Sequence, residues 1–273
     1  MAITPTQRLS DDLQVLGSIV DSVDGVTMKR FQASDLHIET KPDLTPVTDA
    51  DKSAEELIRQ MLGRYRARDA VYGEEQGQSD SGFSGRRWII DPIDGTKNFV
   101  RGVPVWATLV GLEEDGEIVL GMVSAPALGR RWWAARGLGA YTGKSWANAR
   151  QIHCSRVARI EDASLSYSSL GGWQERGQLR GFLRLAQSAW RTRAFGDFWS
   201  YMLVAEGSVD LAAEPELELY DMAALVPIVT EAGGMFTSLD GAPGPYGDSA
   251  LASNGLLHDA AREIIESVSD VEP

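Results

Sequence analysis

The chain has 273 residues, 43% of them apolar, and a formal net charge of −13, which is enough for one large domain with a substantial core. The acidic balance argues against a nucleic-acid or anionic-membrane surface and suits bound cations or a cationic substrate. A lone cysteine, Cys154, excludes an internal disulfide and fits a reducing, cytoplasmic compartment; no apolar run predicts a membrane span or a signal peptide.

In chain order, residues 8–33 read as an amphipathic helix, with Leu9, Leu13, Leu16, Ile19 and Val20 near helical spacing. Residues 36–46 are polar with two prolines and read as a loop or hairpin. Thr48, followed by Asp49, Asp51 and Glu55, reads as the cap and first turn of a helix carrying Leu57, Ile58, Met61 and Leu62. Val71 and Tyr72 form a short strand ending at Gly73-Glu74-Glu75, and the Gly- and Ser-rich stretch 76–87 reads as a mobile loop.

Trp88 to Ile90 form a strand that delivers Asp91, and residues 105–113 and 117–124 form a hairpin around Glu114-Asp115-Gly116. Strands at Trp132 to Ala135 and Gly139 to Tyr141 follow, then helices at 174–190 and 198–206 and a strand at Val209 to Ala213. Asp221 opens a helix through Glu231, kinked at Pro227 and stopped by Gly233-Gly234; the last helix spans 258–268. Strands and helices alternate without a regular βαβ period or repeat. The chain therefore reads as one α/β (α+β) domain over 1–273, with a subdomain boundary at 145–150.

The chemistry concentrates in WIIDPIDGTKNFVRG, Trp88 to Gly102. Asp91 and Asp94 sit three residues apart after an apolar strand, and Pro92 fixes the backbone so that the Ile93 carbonyl can serve as a further oxygen ligand. Hard divalent cations need such clustered oxygens. Glu74, Asp51 and Asp221 also stand at element boundaries, although a solvated acid at Glu74 and a helix cap at Asp221 are the ordinary readings. If a helix starts after Asp94, the free N–H groups of Gly95 and Thr96 face an anion, and the Thr96 hydroxyl can orient a water. The histidines His37, His153 and His258 lie away from these motifs.

WIIDPIDGTKNF resembles the first signature of the inositol monophosphatase superfamily, and LYDMAALVPIVTEAGG resembles its second; Gly73-Glu74-Glu75 and KPDLTPVTDADKSAE match in the same order. Together these blocks span residues 41 to 234. DPIDGTKNFVRGVPVWATLVGL, SAPALGRRWWAARGLGAY and RAFGDFWSYMLVAEGSVDLAAEP are similar to the actinobacterial histidinol-phosphatases of that superfamily. Arg101 stands where inositol monophosphatases more often carry histidine, and Tyr220 where they carry tryptophan.

The resemblance implies a layered α-β-α-β-α sandwich, often a homodimer, and Mg²⁺-dependent hydrolysis of a small phosphate ester in histidine biosynthesis, with two or three ions per site. It implies that Glu74, Asp91 and the Ile93 carbonyl hold the first metal, and Asp91, Asp94 and Asp221 the second, with Glu74 contributing to a third. Thr96, backed by Asp51, and Glu74 would place the attacking water, and the Gly95 and Thr96 N–H groups would bind phosphate. L-histidinol phosphate carries an ammonium and an imidazole, so its pocket should offer carboxylates; Asp197 and Glu214 are the candidates, with Arg193 beside them and Glu218 and Tyr220 behind. Asp197 also reads as a helix cap and Glu214 as a loop residue. Inositol-1-phosphate and fructose-1,6-bisphosphate are the alternative substrates.

Overall fold

Thr4 opens the first helix, α1 (Pro5–Arg30): its hydroxyl accepts the Gln7 N–H while the Gln7 side chain returns to the Thr4 N–H. The structure, a computed structural model, describes residues 4–42, 44–79 and 85–267. An antiparallel hairpin follows, β1 (Ile38–Thr40) and β2 (Pro46–Thr48). It leads straight into α2 (Asp49–Tyr65), capped by Thr48 with Asp51 as the reciprocal partner.

Eight strands form the larger sheet: β3 (Ala70–Gly73), β4 (Gly77–Gln78), β5 (Arg86–Asp94), β6 (Ala107–Glu114), β7 (Glu117–Ala125), β8 (Arg130–Ala135), β9 (Gly139–Thr142) and β10 (Arg150–Gln151). Their order is β10-β9-β8-β7-β6-β5-β3-β4, antiparallel except for β3 beside β5. The short helix α3 (Thr96–Arg101) leaves the end of β5.

The second sheet holds β11 (Ser164–Ser166), β12 (Arg191–Arg193), β13 (Leu211–Glu214), β14 (Met235–Thr237) and β15 (Ala250–Ser253), ordered β12-β11-β13-β15-β14. Between its strands run α4 (Gly171–Glu175), α5 (Leu179–Ser188), α6 (Asp197–Ala205), α7 (Leu219–Ala223) and α8 (Leu225–Glu231), and α9 (His258–Glu266) closes the described chain.

Strand alternation sorts these elements into layers. Val110, Leu112 and Leu120 face α1 and α2, where they meet Leu16, Ile19, Ile58 and Leu62. Leu109, Val123 and Trp132 face the other way, onto Tyr201, Met202, Leu225 and Ile228 of α6 and α8, and onto Ala212 and Ala252 of the second sheet. Beyond that sheet, Leu165, Leu211 and Leu251 pack on Trp173, Phe182, Leu185 and Ile265. The architecture is thus an α-β-α-β-α sandwich. The larger sheet ends at Gln151 and the smaller begins at Ser164, and the middle core cluster draws on both.

Several elements differ from the sequence reading. The helix expected over 174–190 is two helices, because Gly177 takes φ +71 between α4 and α5. The helix expected from Asp221 to Glu231 is also two. Pro227 lacks an N–H and would clash with the carbonyl four residues earlier, at Ala223, which is where α7 stops. The strand expected at Val209 to Ala213 runs Leu211–Glu214, so Glu214 is buried on a strand rather than placed in a loop. The Gly- and Ser-rich loop contains β4, and residues 80–84 lie outside the described residues. His258, away from the motifs as the sequence has it, is buried between the Thr237 and Ser253 hydroxyls.

Candidate active site

Asp91 and Asp94 would point to opposite faces of a regular strand, since side chains alternate with period two. A bulge prevents this. Asp91 pairs with Leu109 and Asp94 with Ala107, so β5 carries one residue more than β6 across this interval. The Thr108 hydroxyl donates to the Pro92 carbonyl at 2.9 Å, and the Ile93 N–H donates to Asp91 Oδ1 at 3.0 Å, which holds the bulge in shape.

The bulge turns both carboxylates toward α7, where Asp221 completes a group whose ligand oxygens lie within 4.8 Å of one another. Asp221 is not the cap of its helix. Glu218 is, and Asp221 Oδ2 accepts the Glu218 N–H at 2.7 Å as the reciprocal partner. No lysine or arginine among the described residues makes an ion pair with these three acids. Burial first, then the neighbouring acids, pushes the Asp91 and Asp94 carboxyls well above the usual carboxylate range. Burial likewise pushes Asp221 up to about 7.

Glu74 follows β3, its N–H donating to the Ile90 carbonyl at 3.1 Å. Its carboxylate stands outside the three-acid group and instead meets Lys41 Nζ at 2.7 Å, which also lies 2.7 Å from Glu75. Burial raises the Glu74 carboxyl and Lys41 opposes the rise. Glu75 is therefore a sheltered ion-pair partner.

Asp51 reaches the site from the first turn of α2. Its Oδ2 accepts the Thr48 N–H at 2.9 Å, and its Oδ1 lies 3.3 Å from the Thr96 hydroxyl. Burial pushes its carboxyl up to about 6. The Thr96 hydroxyl also lies 3.0 Å from the Ile93 carbonyl, and its single proton can serve only one of the two oxygens. Gly95, at φ +83, is the N-cap of α3; a Cβ there would lie 3.0 Å from the Val105 carbonyl, so only glycine fits the turn.

Two further acids lie beside the group. Asp197 opens α6 but makes no cap; its Oδ2 accepts the Asn98 amide at 2.8 Å, and burial pushes its carboxyl up to about 6. Glu214 is buried at the end of β13, where it accepts the Ser168 hydroxyl; burial pushes it up to about 7. Its Oε1 and the nearby Tyr201 hydroxyl are both buried without a hydrogen bond of good geometry. The Phe198 N–H donates to Asp94 Oδ2 at 2.8 Å and ties α6 to the group. Arg193 stands exposed on edge strand β12, its guanidinium donating to the Thr192 carbonyl at 2.7 Å, and it makes no ion pair with these acids among the described residues.

The sequence reading missed three supports. Lys41 is one and Asn98 another. The third is Glu55, fully buried, which accepts the N–H groups of Glu75 at 2.8 Å and Gln76 at 3.1 Å and so shapes the turn bearing Glu74. Its spacing of four from Asp51 puts both on one face of α2, a signal that was present in the sequence.

A family model described as the inositol monophosphatase family matches residues 12–271. The chain is 62% identical over 253 residues to a Streptomyces coelicolor protein named histidinol-phosphatase, covering 91% of this chain and 94% of that one. It is 58% identical over 249 residues to one of the same name from Mycobacterium tuberculosis, covering 91% and 95%. The solved structure of a Thermotoga maritima IMPase is similar in fold, with a TM-score of 0.83 and 29% identity over 94% of this chain and 97% of that one. On the bulged carboxylate pair, the acid from α7 and these likenesses, the chain belongs to the inositol monophosphatase family.

Proposed function

We propose that the protein is a Mg²⁺-dependent phosphomonoesterase that hydrolyses L-histidinol phosphate to L-histidinol and phosphate in histidine biosynthesis. The observation that carries the reading is a pair of acids, half-buried Asp197 and buried Glu214, set beside a three-carboxylate group in a chain so similar to proteins named histidinol-phosphatase. The reading takes the chain as one domain, since the middle cluster is shared between the sheets, and as a cytoplasmic homodimer.

The donor set fits a hard divalent cation. It offers carboxylate and carbonyl oxygens, and the three acids have no cationic partner among the described residues. Asp91, Asp94, Asp221, Glu74 and the Ile93 carbonyl would hold two or three ions. When bound, Mg²⁺ neutralises the phosphate charge and acidifies water.

The chain's own groups then have defined tasks. Thr96 donates its proton to Asp51, which leaves the hydroxyl lone pairs to accept from the attacking water and frees the Ile93 carbonyl. Glu74 supports the same water. The first-turn N–H groups of α3, from Gly95 and Thr96, find no carbonyl within the helix and receive the phosphate oxygens. Asp197 and Glu214 face the ammonium end of the leaving group, and their charge favours a cationic alcohol over a neutral polyol.

A phosphate-release assay with Mg²⁺ tests this over histidinol phosphate, inositol-1-phosphate and fructose-1,6-bisphosphate. We expect kcat/KM for histidinol phosphate to exceed the others by about tenfold or more, the scale of one charge-assisted contact. Equal values on all three would overturn the substrate assignment.

A further inference from the structure

Asn98 occupies the first turn of α3, and both of its amide hydrogens are committed. One goes to the Val105 carbonyl at 2.9 Å and the other to Asp197 Oδ2 at 2.8 Å. The amide thus spans from the turn that carries Gly95 and Thr96 to the start of α6, a separation of 99 residues in sequence.

Asp197 needs such a hold. It is one of few non-glycine residues at positive φ, at +49, a conformation that costs an L-residue free energy and persists where surroundings enforce it. It makes no cap for its own helix. Its Oδ2 would lie only 3.3 Å from a Cβ at Gly95, so the carboxylate rests over the glycine of the phosphate turn. Its Oδ1 accepts no hydrogen bond among the described residues and remains available to a ligand.

We propose that Asn98 is a positioning residue for substrate choice: it aims Asp197 Oδ1 at the cationic leaving group from the same helix that receives the phosphate. The proposal deepens the reading of Asp197 as a leaving-group contact and rests on it. The donor type matters. Lys97 already acts on the Asp197 carboxylate, and a neutral amide holds that carboxylate without setting a second cation against the ammonium. One rigid turn then fixes the distance between the two ends of the substrate, phosphate on the backbone of α3 and cation on the acid its side chain holds.

The test is a double-mutant cycle on the Mg²⁺-loaded enzyme with two substrates, histidinol phosphate and phenyl phosphate, which has no cationic group. Asn98→Ala is expected to raise KM for histidinol phosphate about tenfold, the scale of a lost hydrogen bond to a charged group, with kcat and both phenyl phosphate constants changed less than about threefold. In an Asp197→Asn background the same substitution should add less than about twofold. Equal losses on both substrates, or an undiminished loss in that background, would overturn the proposal and make Asn98 a support of the phosphate turn. An Asp197→Asn enzyme with unchanged KM for histidinol phosphate would instead overturn the reading beneath it. Should Asn98→Ala fail to fold, Asn98→Ser, too short to span both acceptors and uncharged, carries the same cycle with the same expected outcomes.

Discussion

Lys41 Nζ lies 2.7 Å from the Glu74 carboxylate, and among the described residues no other lysine or arginine pairs with an acid proposed as a metal ligand. The ammonium, held from the loop between β1 and β2, stands where a divalent cation would compete for the same oxygens. Lys41→Met should therefore lower the stability of the metal-free protein, because Glu74 and Glu75 lose their counter-charge. The same change should shift the midpoint of Mg²⁺ binding to lower concentration, by about threefold or more. Calorimetric Mg²⁺ titration of both proteins checks this; a midpoint moved to higher concentration would make Lys41 an aid to metal binding.

Metal removal should abolish activity and leave a protein whose stability falls as pH rises. The folded-state carboxyls of Asp91, Asp94 and Asp221 are raised, the last to about 7. Between the unfolded value near 4 and these raised values, the folded state binds more protons than the unfolded state, so stability is lost as pH climbs through that window. In EDTA the melting temperature should be higher at about pH 5.5 than at about pH 8, and the gain on adding Mg²⁺ should be larger at about pH 8. An Mg²⁺ gain independent of pH would contradict a carboxylate-built site.

Asp94→Asn removes a charge and keeps the shape. The amide oxygen can still accept the Phe198 N–H, which Asp94 Oδ2 now does at 2.8 Å, so α6 should stay docked. The expected result is a fall in kcat of about 10²-fold or more at saturating Mg²⁺, with a melting temperature in EDTA no lower than that of the unsubstituted protein. A fall below about threefold would show that Asp94 is not a ligand.

Glu55→Ala strips the turn that bears Glu74 of its support. The buried carboxylate accepts two backbone N–H groups and the Arg59 guanidinium, and truncation leaves these donors unpaired. A stability loss of about 2–4 kcal/mol by urea unfolding is expected, along with weaker Mg²⁺ binding. A loss of stability with an intact Mg²⁺ midpoint would mean that Glu74 is held by other means.

The sequence by itself determined the long helices α1 and α2, most strands of the larger sheet and the chemistry of their ends, but not the second sheet, of which only β13 is legible there. Apolar runs in residues 105–113 and 117–124 and helical spacing in α1 and α2 required strands with helices covering them, and both faces of those strands are buried. DPIDGT, with its two acids, glycine and threonine, carried the ligand types. What the tertiary structure decided is where those groups meet. Asp91 and Asp94 share a face only because β5 bulges against β6, and a bulge depends on pairing with another strand. Asp221 joins them because α7 stops ahead of Pro227 and packs on β5 and β6. Asp197 makes no cap and is held instead by Asn98, distant in sequence, and Arg193 stands exposed on edge strand β12. Local sequence sets backbone preference and donor type over a few residues, but the approach of one carboxylate to another is fixed by strand register and layer packing, which are properties of the whole chain.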